Sequence, residues 1–235
     1  ATMPSLPPAI DLVDHRAGSG RLLVALHDLG QTGRSMIEAL DDLAGDHRIV
    51  APDLRGHGGS PTPHGPWSID DFASDVARLT AAEGGDAILV GVGLGAATGL
   101  ALALGHPGLV SGLVLSGVSA RGEDPDGQDR WVRVARALRE RHGAEGVALA
   151  AEAMGTRPDW RGALAQVDAP VTVLAGQADR AVPADAQREL SAWLERSRFQ
   201  VIRGAGHNVV VERPGELVSA VRMLETARPE ELVAA

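Results

Sequence analysis

"ILVGVGLGAATG", residues 88–99, joins an apolar run to a glycine-rich turn and then to a stretch of small residues with helical character. Such a strand–turn–helix unit has two chemical readings. Gly91-x-Gly93-x-x-Ala96 matches the dinucleotide-binding pattern, whose glycines let a pyrophosphate approach a helix N-terminus. That pattern expects an acid about 20 residues further on to hold the ribose. Here the corresponding stretch, "LVLSGVSA" (113–120), carries none. The dinucleotide unit also usually opens its fold, whereas two strand–helix units precede this one. The other reading is the G-x-S-x-G elbow, which lifts a nucleophile above a sheet. Gly91, Gly93 and Gly95 take its frame, with glycine at the nucleophile position.

The flanking sequence extends the pattern. Apolar runs at 21–26, 47–51, 87–92, 109–115, 171–175 and 199–202 read as buried strands. Helical periodicity covers 35–43, 69–82, 94–105, 184–193 and 214–225. Ser68 is an expected N-cap, and Pro214 suits a first helical turn. This alternation predicts a mostly parallel sheet with helices on both faces. Its active rim lies at the carboxyl ends of the strands. That rule gathers "HDLG", "GVGLG", "GQADRAVP" and "GAGHN" at one edge. Between the runs at 109–115 and 171–175 the alternation breaks into "GQDRWVRVARALRERH" and "AEGVALAAEAMG". Residues 118–166 therefore read as a helical cap insertion within a single 1–235 domain.

Four stretches in order resemble the α/β-hydrolase superfamily. "LLVALHDLGQTG" is similar to its strand and oxyanion loop, and "VAPDLRGHGGS" to its D-x-R-G-x-G-x-S segment. "VTVLAGQADRAVP" resembles the acid loop and "VIRGAGHNVVVERPGEL" the histidine loop. The resemblance spans nearly the whole chain and implies the α/β-hydrolase fold. It assigns His207 as the catalytic base or acid and Asp179 as the carboxylate that orients it. Asp185 lies close to Asp179 in sequence. The resemblance also places the oxyanion-hole N–H groups at Leu29 and Leu94.

The chain departs from the family at two places. Gly93 has no hydroxyl, so the acyl-enzyme route is closed. Asp28 follows His27 where the family usually has glycine. Pointing away, Asp28 would cap a turn. Facing the cavity, desolvation would favour its protonated form and fit it as a general acid. His27 is expected as a hydrogen-bonding brace at the edge of the substrate pocket, with Trp131 and Met154 reaching that pocket from the cap. Asp53, Arg55 and His57 read as loop braces. Ser116 and Ser119 carry hydroxyls but lie outside the elbow. Arg130, Arg133, Arg136, Arg139 and Arg141 form either a solvated helix face or a steering patch for an anion.

Composition narrows the classes. The net charge of −9 argues against nucleic-acid binding. Zero cysteines exclude thiolate chemistry and cysteine-held zinc. Histidines show no metal-ligand spacing, and no cofactor is called for. No run is long enough to span a membrane. The first ten residues lack a signal-peptide pattern, which leaves the cytoplasm as the default expectation. The last eight, "RPEELVAA", read as a frayed tail.

The expected function is non-covalent proton-transfer chemistry by a His207–Asp179 dyad on a small organic substrate, as a lyase, isomerase, cyclase or water-using hydrolase. One alternative is a serine esterase whose nucleophile has been substituted at Gly93. Another is a non-catalytic ligand-binding protein. The expected state is a monomer or homodimer.

Overall fold

The computed structural model describes residues 10–227. Most of the ten-residue start and the whole "RPEELVAA" tail discussed above lie outside them. Seven strands form one sheet: β1 (Asp14–Ala17), β2 (Arg21–Leu26), β3 (His47–Pro52), β4 (Ala87–Val92), β5 (Val110–Ser116), β6 (Val171–Gly176) and β7 (Ser197–Ile202). Their spatial order is β1-β3-β2-β4-β5-β6-β7. All neighbours pair in parallel except β1, which runs antiparallel along β3. The short polar β1, "DHRA", has too little apolar pattern to be read from sequence, and it pairs only at the sheet edge.

Strands β4 and β6 bury every residue, as strands covered on both faces do. Helices α2 (Ile69–Ala82), α3 (Leu94–Gly105) and α6 (Ala184–Trp193) contribute to one apolar layer. Helices α1 (Gly33–Ala39) and α8 (Pro214–Thr226), with the short α7 (Val209–Glu212), contribute to the other. The expected helix at 35–43 is shorter: α1 stops at Ala39 and a 3-10 turn, Asp41–Leu43, follows. Helix α2 begins where Ser68 predicts. The Ser68 N–H donates to Asp71 Oδ2 at 2.6 Å, and Asp71 sits in the first turn.

Helix α3 is buried from Leu94 to Ala103 because its small side chains let it lie close to the strands. A side-chain carbon on Gly95 would come within 2.1 Å of the Leu26 carbonyl oxygen. That contact fixes the approach of α3 to β2 and therefore the position of the turn between β4 and α3.

Between β5 and β6 the chain leaves the sheet for α4 (Pro125–His142) and α5 (Glu145–Gly155). Asp124 caps α4, accepting a hydrogen bond from the Gly127 N–H at 2.7 Å, and Gly143 ends it in a left-handed conformation. The two helices pack on each other through Ala135, Ala148 and Ala151. Among the described residues no helix is long and apolar enough to cross a membrane.

Candidate active site

Gly93 stands at the apex of the β4–α3 turn with φ 54° and ψ −113°, a region that disfavours side chains. Its N–H donates to the Ser116 carbonyl at 2.9 Å, and its carbonyl accepts from the Ala97 N–H at 3.0 Å. The backbone thus holds an elbow, although its apex carries no side chain.

The Asp28 carboxylate fills the space above that apex. A side-chain carbon on Gly93 would lie 1.8 Å from Asp28 Oδ1. The same oxygen accepts hydrogen bonds from the N–H of Leu29 at 2.7 Å and of Leu94 at 3.0 Å. These are the two N–H groups expected to form the oxyanion hole. Both N–H groups are therefore taken by the chain's own carboxylate. Of the two orientations open to Asp28, it takes the one facing the cavity.

His207 faces this carboxylate from the loop after β7. Its Nε2 lies 3.4 Å from Asp28 Oδ2, and its Nδ1 lies 2.9 Å from Asp179 Oδ2. Hydrogen bonding to Asp179, then to Asp28, raises the imidazole pKa to about 10 against the opposing effect of burial. His207 is accordingly an imidazolium between two acids at neutral pH. Burial by itself would raise the Asp179 pKa. Its bonds from His207 and from the N–H groups of Val182 and Ala181 outweigh that and hold the value below the usual range.

The supporting shell is mostly loop to loop. His27 is fully buried and does not line the cavity, so its expected place in the pocket wall is corrected. It lies beneath the loop. Its Nδ1 meets the Asp28 carbonyl at 2.7 Å, and its Nε2 accepts from the Leu54 N–H at 2.9 Å. Burial pushes its pKa down to about 4, which keeps it neutral with one donor and one acceptor nitrogen. Asp53 ties the Gly33 and Gly59 N–H groups together, each at 2.8 Å. Arg55 grips Asp75 with two bonds, at 2.7 and 2.9 Å. His57 packs edge-on to His27 with ring centres 5.0 Å apart.

Two positioning residues carried no sequence signal. Gln187 on α6 is fully buried. It donates to Asp179 Oδ2 at 3.2 Å and accepts from the Gly117 N–H at 2.8 Å. Gln31 donates to Asn208 Oδ1 at 3.0 Å, joining the Asp28 loop to the His207 loop. Both are polar residues in ordinary sequence surroundings, and each has a partner far away in the chain, Gly117 for Gln187 and Asn208 for Gln31.

A cavity of about 310 Å³ opens over Asp28, Gly93 and His207, walled from α4 and α5 by Trp131, Val134 and Met154. Of the five α4 arginines, Arg130 alone lines it. Arg136 pairs with Glu140 on the outer surface, and Arg139 pairs with Glu145 and, half-buried, with Glu152 of α5. The buried Arg157, just beyond α5, also lines the cavity and is paired with Glu123. Ser116 is buried behind the elbow, and the Ser119 hydroxyl accepts from Arg157 at 2.8 Å. Asp185 opens α6 and is not among the partners of His207.

The profile of the Alpha/beta hydrolase family matches residues 23–221. The chain belongs to that family. It is 26% identical to a 2-hydroxy-6-oxo-2,4-heptadienoate hydrolase of Pseudomonas putida, over 85% of this chain and 87% of the relative. A thermophilic esterase from Thermogutta terrifontis superposes with a TM-score of 0.84 at 26% identity, over 91% of this hydrolase-family chain and 92% of its own. An enol-lactonase from Burkholderia xenovorans shares the fold with a TM-score of 0.81 at 23% identity, over 92% and 96% of the two chains.

Proposed function

We propose that this α/β-hydrolase-family chain is an enzyme that works without a hydroxyl nucleophile. Its proton chemistry belongs to His207, oriented by Asp179 and facing Asp28, on a small organic substrate held under 118–166 as a cap. The observation that carries this reading is Asp28 Oδ1 accepting from the N–H groups of Leu29 and Leu94, the pair expected as the oxyanion hole. Both ring nitrogens of His207 face carboxylate oxygens, which fits His207 as the acid of the pair. A hole filled by a carboxylate cannot stabilise an ester's tetrahedral oxyanion as it stands. Reactions that join a carboxylate to an imidazolium remain: elimination, isomerisation, cyclisation, or hydrolysis by an activated water.

The same observation weighs against an esterase that has merely lost its serine. Gly93 and Asp28 are sterically coupled, so a serine at 93 meets the carboxylate. The test is metabolite profiling of a cell extract incubated with the protein. A compound consumed by the wild type and spared by His207→Ala supports the enzyme reading. Consumption that persists in His207→Ala, or no consumption at all, removes it.

A further inference from the structure

The cavity over Asp28 and His207 has a charged side that the proton chemistry does not use. It adjoins a second, more polar cleft of about 610 Å³. Ser119, Glu123, Arg130 and Arg157 line both spaces, whereas Asp28, Gly93 and His207 line only the first. An arginine-bearing wall thus stands between the two. Apart from Asp28 beside His207, the cavity lining sets three guanidiniums, from Arg130, Arg157 and Arg180, against one acid, Glu123. Arg180 is exposed and joins no ion pair among the described residues.

Glu123 spans two of these cations loosely. Its Oε2 lies 3.2 Å from Arg130 Nη2, and its Oε1 lies 3.3 Å from Arg157 Nη2. Charge-assisted bonds of this kind usually close to about 2.7–2.9 Å. Arg157 is buried, and its Nε has no partner. Ser119 holds it in place, its hydroxyl accepting from Nη2 at 2.8 Å. Burial keeps the Arg157 pKa below its ordinary value, and Glu123 offsets that only in part. A buried cation paired this incompletely favours a better-placed anion.

We propose that the substrate of this site is a small carboxylic acid with an apolar body, its carboxylate taking the place of Glu123 between Arg130 and Arg157. This rests on the reading of the cavity as the place where His207 acts, and it names the substrate class. A carboxylate is the group already seated between the two guanidiniums, so a ligand carboxylate meets donors spaced for two planar oxygens. Glu123 has room to turn aside, because it also lines the second cleft. The apolar body lies along Leu29, Val118, Trp131, Val134 and Met154, toward Asp28 and His207. The chain as a whole carries a net charge of −9, so its attraction for an acid is local to this wall. Glu123 is then a resident competitor that an anion displaces and a neutral ligand does not.

The test is isothermal titration calorimetry at neutral pH with two probes of the same shape, 3-phenylpropionate and 3-phenylpropionamide. The wild type should bind the acid about tenfold or more tighter than the amide, the scale of one charge-assisted contact. Arg130→Gln and Arg157→Gln should each erase that preference, and Glu123→Gln should tighten the acid several-fold without changing the amide. The Arg130 side chain is 63% exposed, so Arg130→Gln decides the matter if the buried Arg157 variant fails to fold. Equal affinities for acid and amide, no binding of either, or an unaltered acid affinity in Glu123→Gln overturns the proposal. So does a preference kept in Arg130→Gln and lost in His207→Ala, which would put the carboxylate on the imidazolium. Calorimetry needs no turnover, so failure here leaves the His207 reading standing. Consumption in an extract that is indifferent to His207→Ala removes that reading instead.

Discussion

Asp28 Oδ1 lies 1.8 Å from the point where a side chain on Gly93 would begin. The two residues, 65 positions apart, therefore act as one structural unit. The carboxylate can occupy the elbow because the elbow is bare.

That relationship fixes the outcome of restoring a serine. Gly93→Ser alone meets both the carboxylate and the left-handed backbone, whose strain costs about 1–3 kcal/mol for a non-glycine residue. The single variant should melt lower than the wild type and gain no ester hydrolysis. Gly93→Ser combined with Asp28→Gly should recover part of the lost stability and react with a fluorophosphonate. Equal melting temperatures for the single and double variants would contradict the coupling.

The two acids flanking His207 set its titration. Replacing Asp28 with Asn removes one of them, so the imidazole pKa should fall from about 10 toward its ordinary value of 6.5. Nitrogen-15 NMR of the His207 ring in both proteins reads this directly. An unchanged value in Asp28→Asn would show that Asp28 has no electrostatic hold on the ring.

Stability should follow pH with opposite slopes on either side of neutrality. His207 is raised on folding, so its contribution is complete below about 6.5 and declines as pH climbs through about 10. His27 is depressed on folding, so stability falls as pH drops from about 6.5 through about 4, where the unfolded chain binds the proton first. Thermal melts across this range should show both flanks. His207→Gln should flatten the alkaline one and leave the acid one in place.

The loop under Asp28 depends on a buried ion pair. Arg55 and Asp75 are each at most 2% exposed and share two hydrogen bonds. Removing one partner strands the other charge, so Asp75→Ala should cost about 3–5 kcal/mol. Urea denaturation measures it. A loss below 1 kcal/mol, about the ceiling for an exposed pair, would mean that water reaches the site.

Much of this architecture is legible in the chain. The runs at 21–26 and 87–92 coincide with β2 and β4, and 69–82, 94–105 and 184–193 coincide with α2, α3 and α6. Their apolar spacing reports burial directly. β1 escaped because an edge strand of four residues is held by backbone pairing rather than by a buried face. Likewise, Gln187 reaches Gly117 and Gln31 reaches Asn208, partners in distant loops that a local pattern does not register.

By itself the sequence determined the sheet and its helices, the glycine turn, and the loops carrying Asp28, Asp179 and His207. These follow from local periodicity, turn chemistry and motif order. Only the tertiary structure decided that Asp28 turns inward, fills the N–H pair of Leu29 and Leu94, and meets His207 over a bare Gly93. The direction of one carboxylate depends on where donors and empty space converge from β2, β4 and β7, and no single segment carries that information.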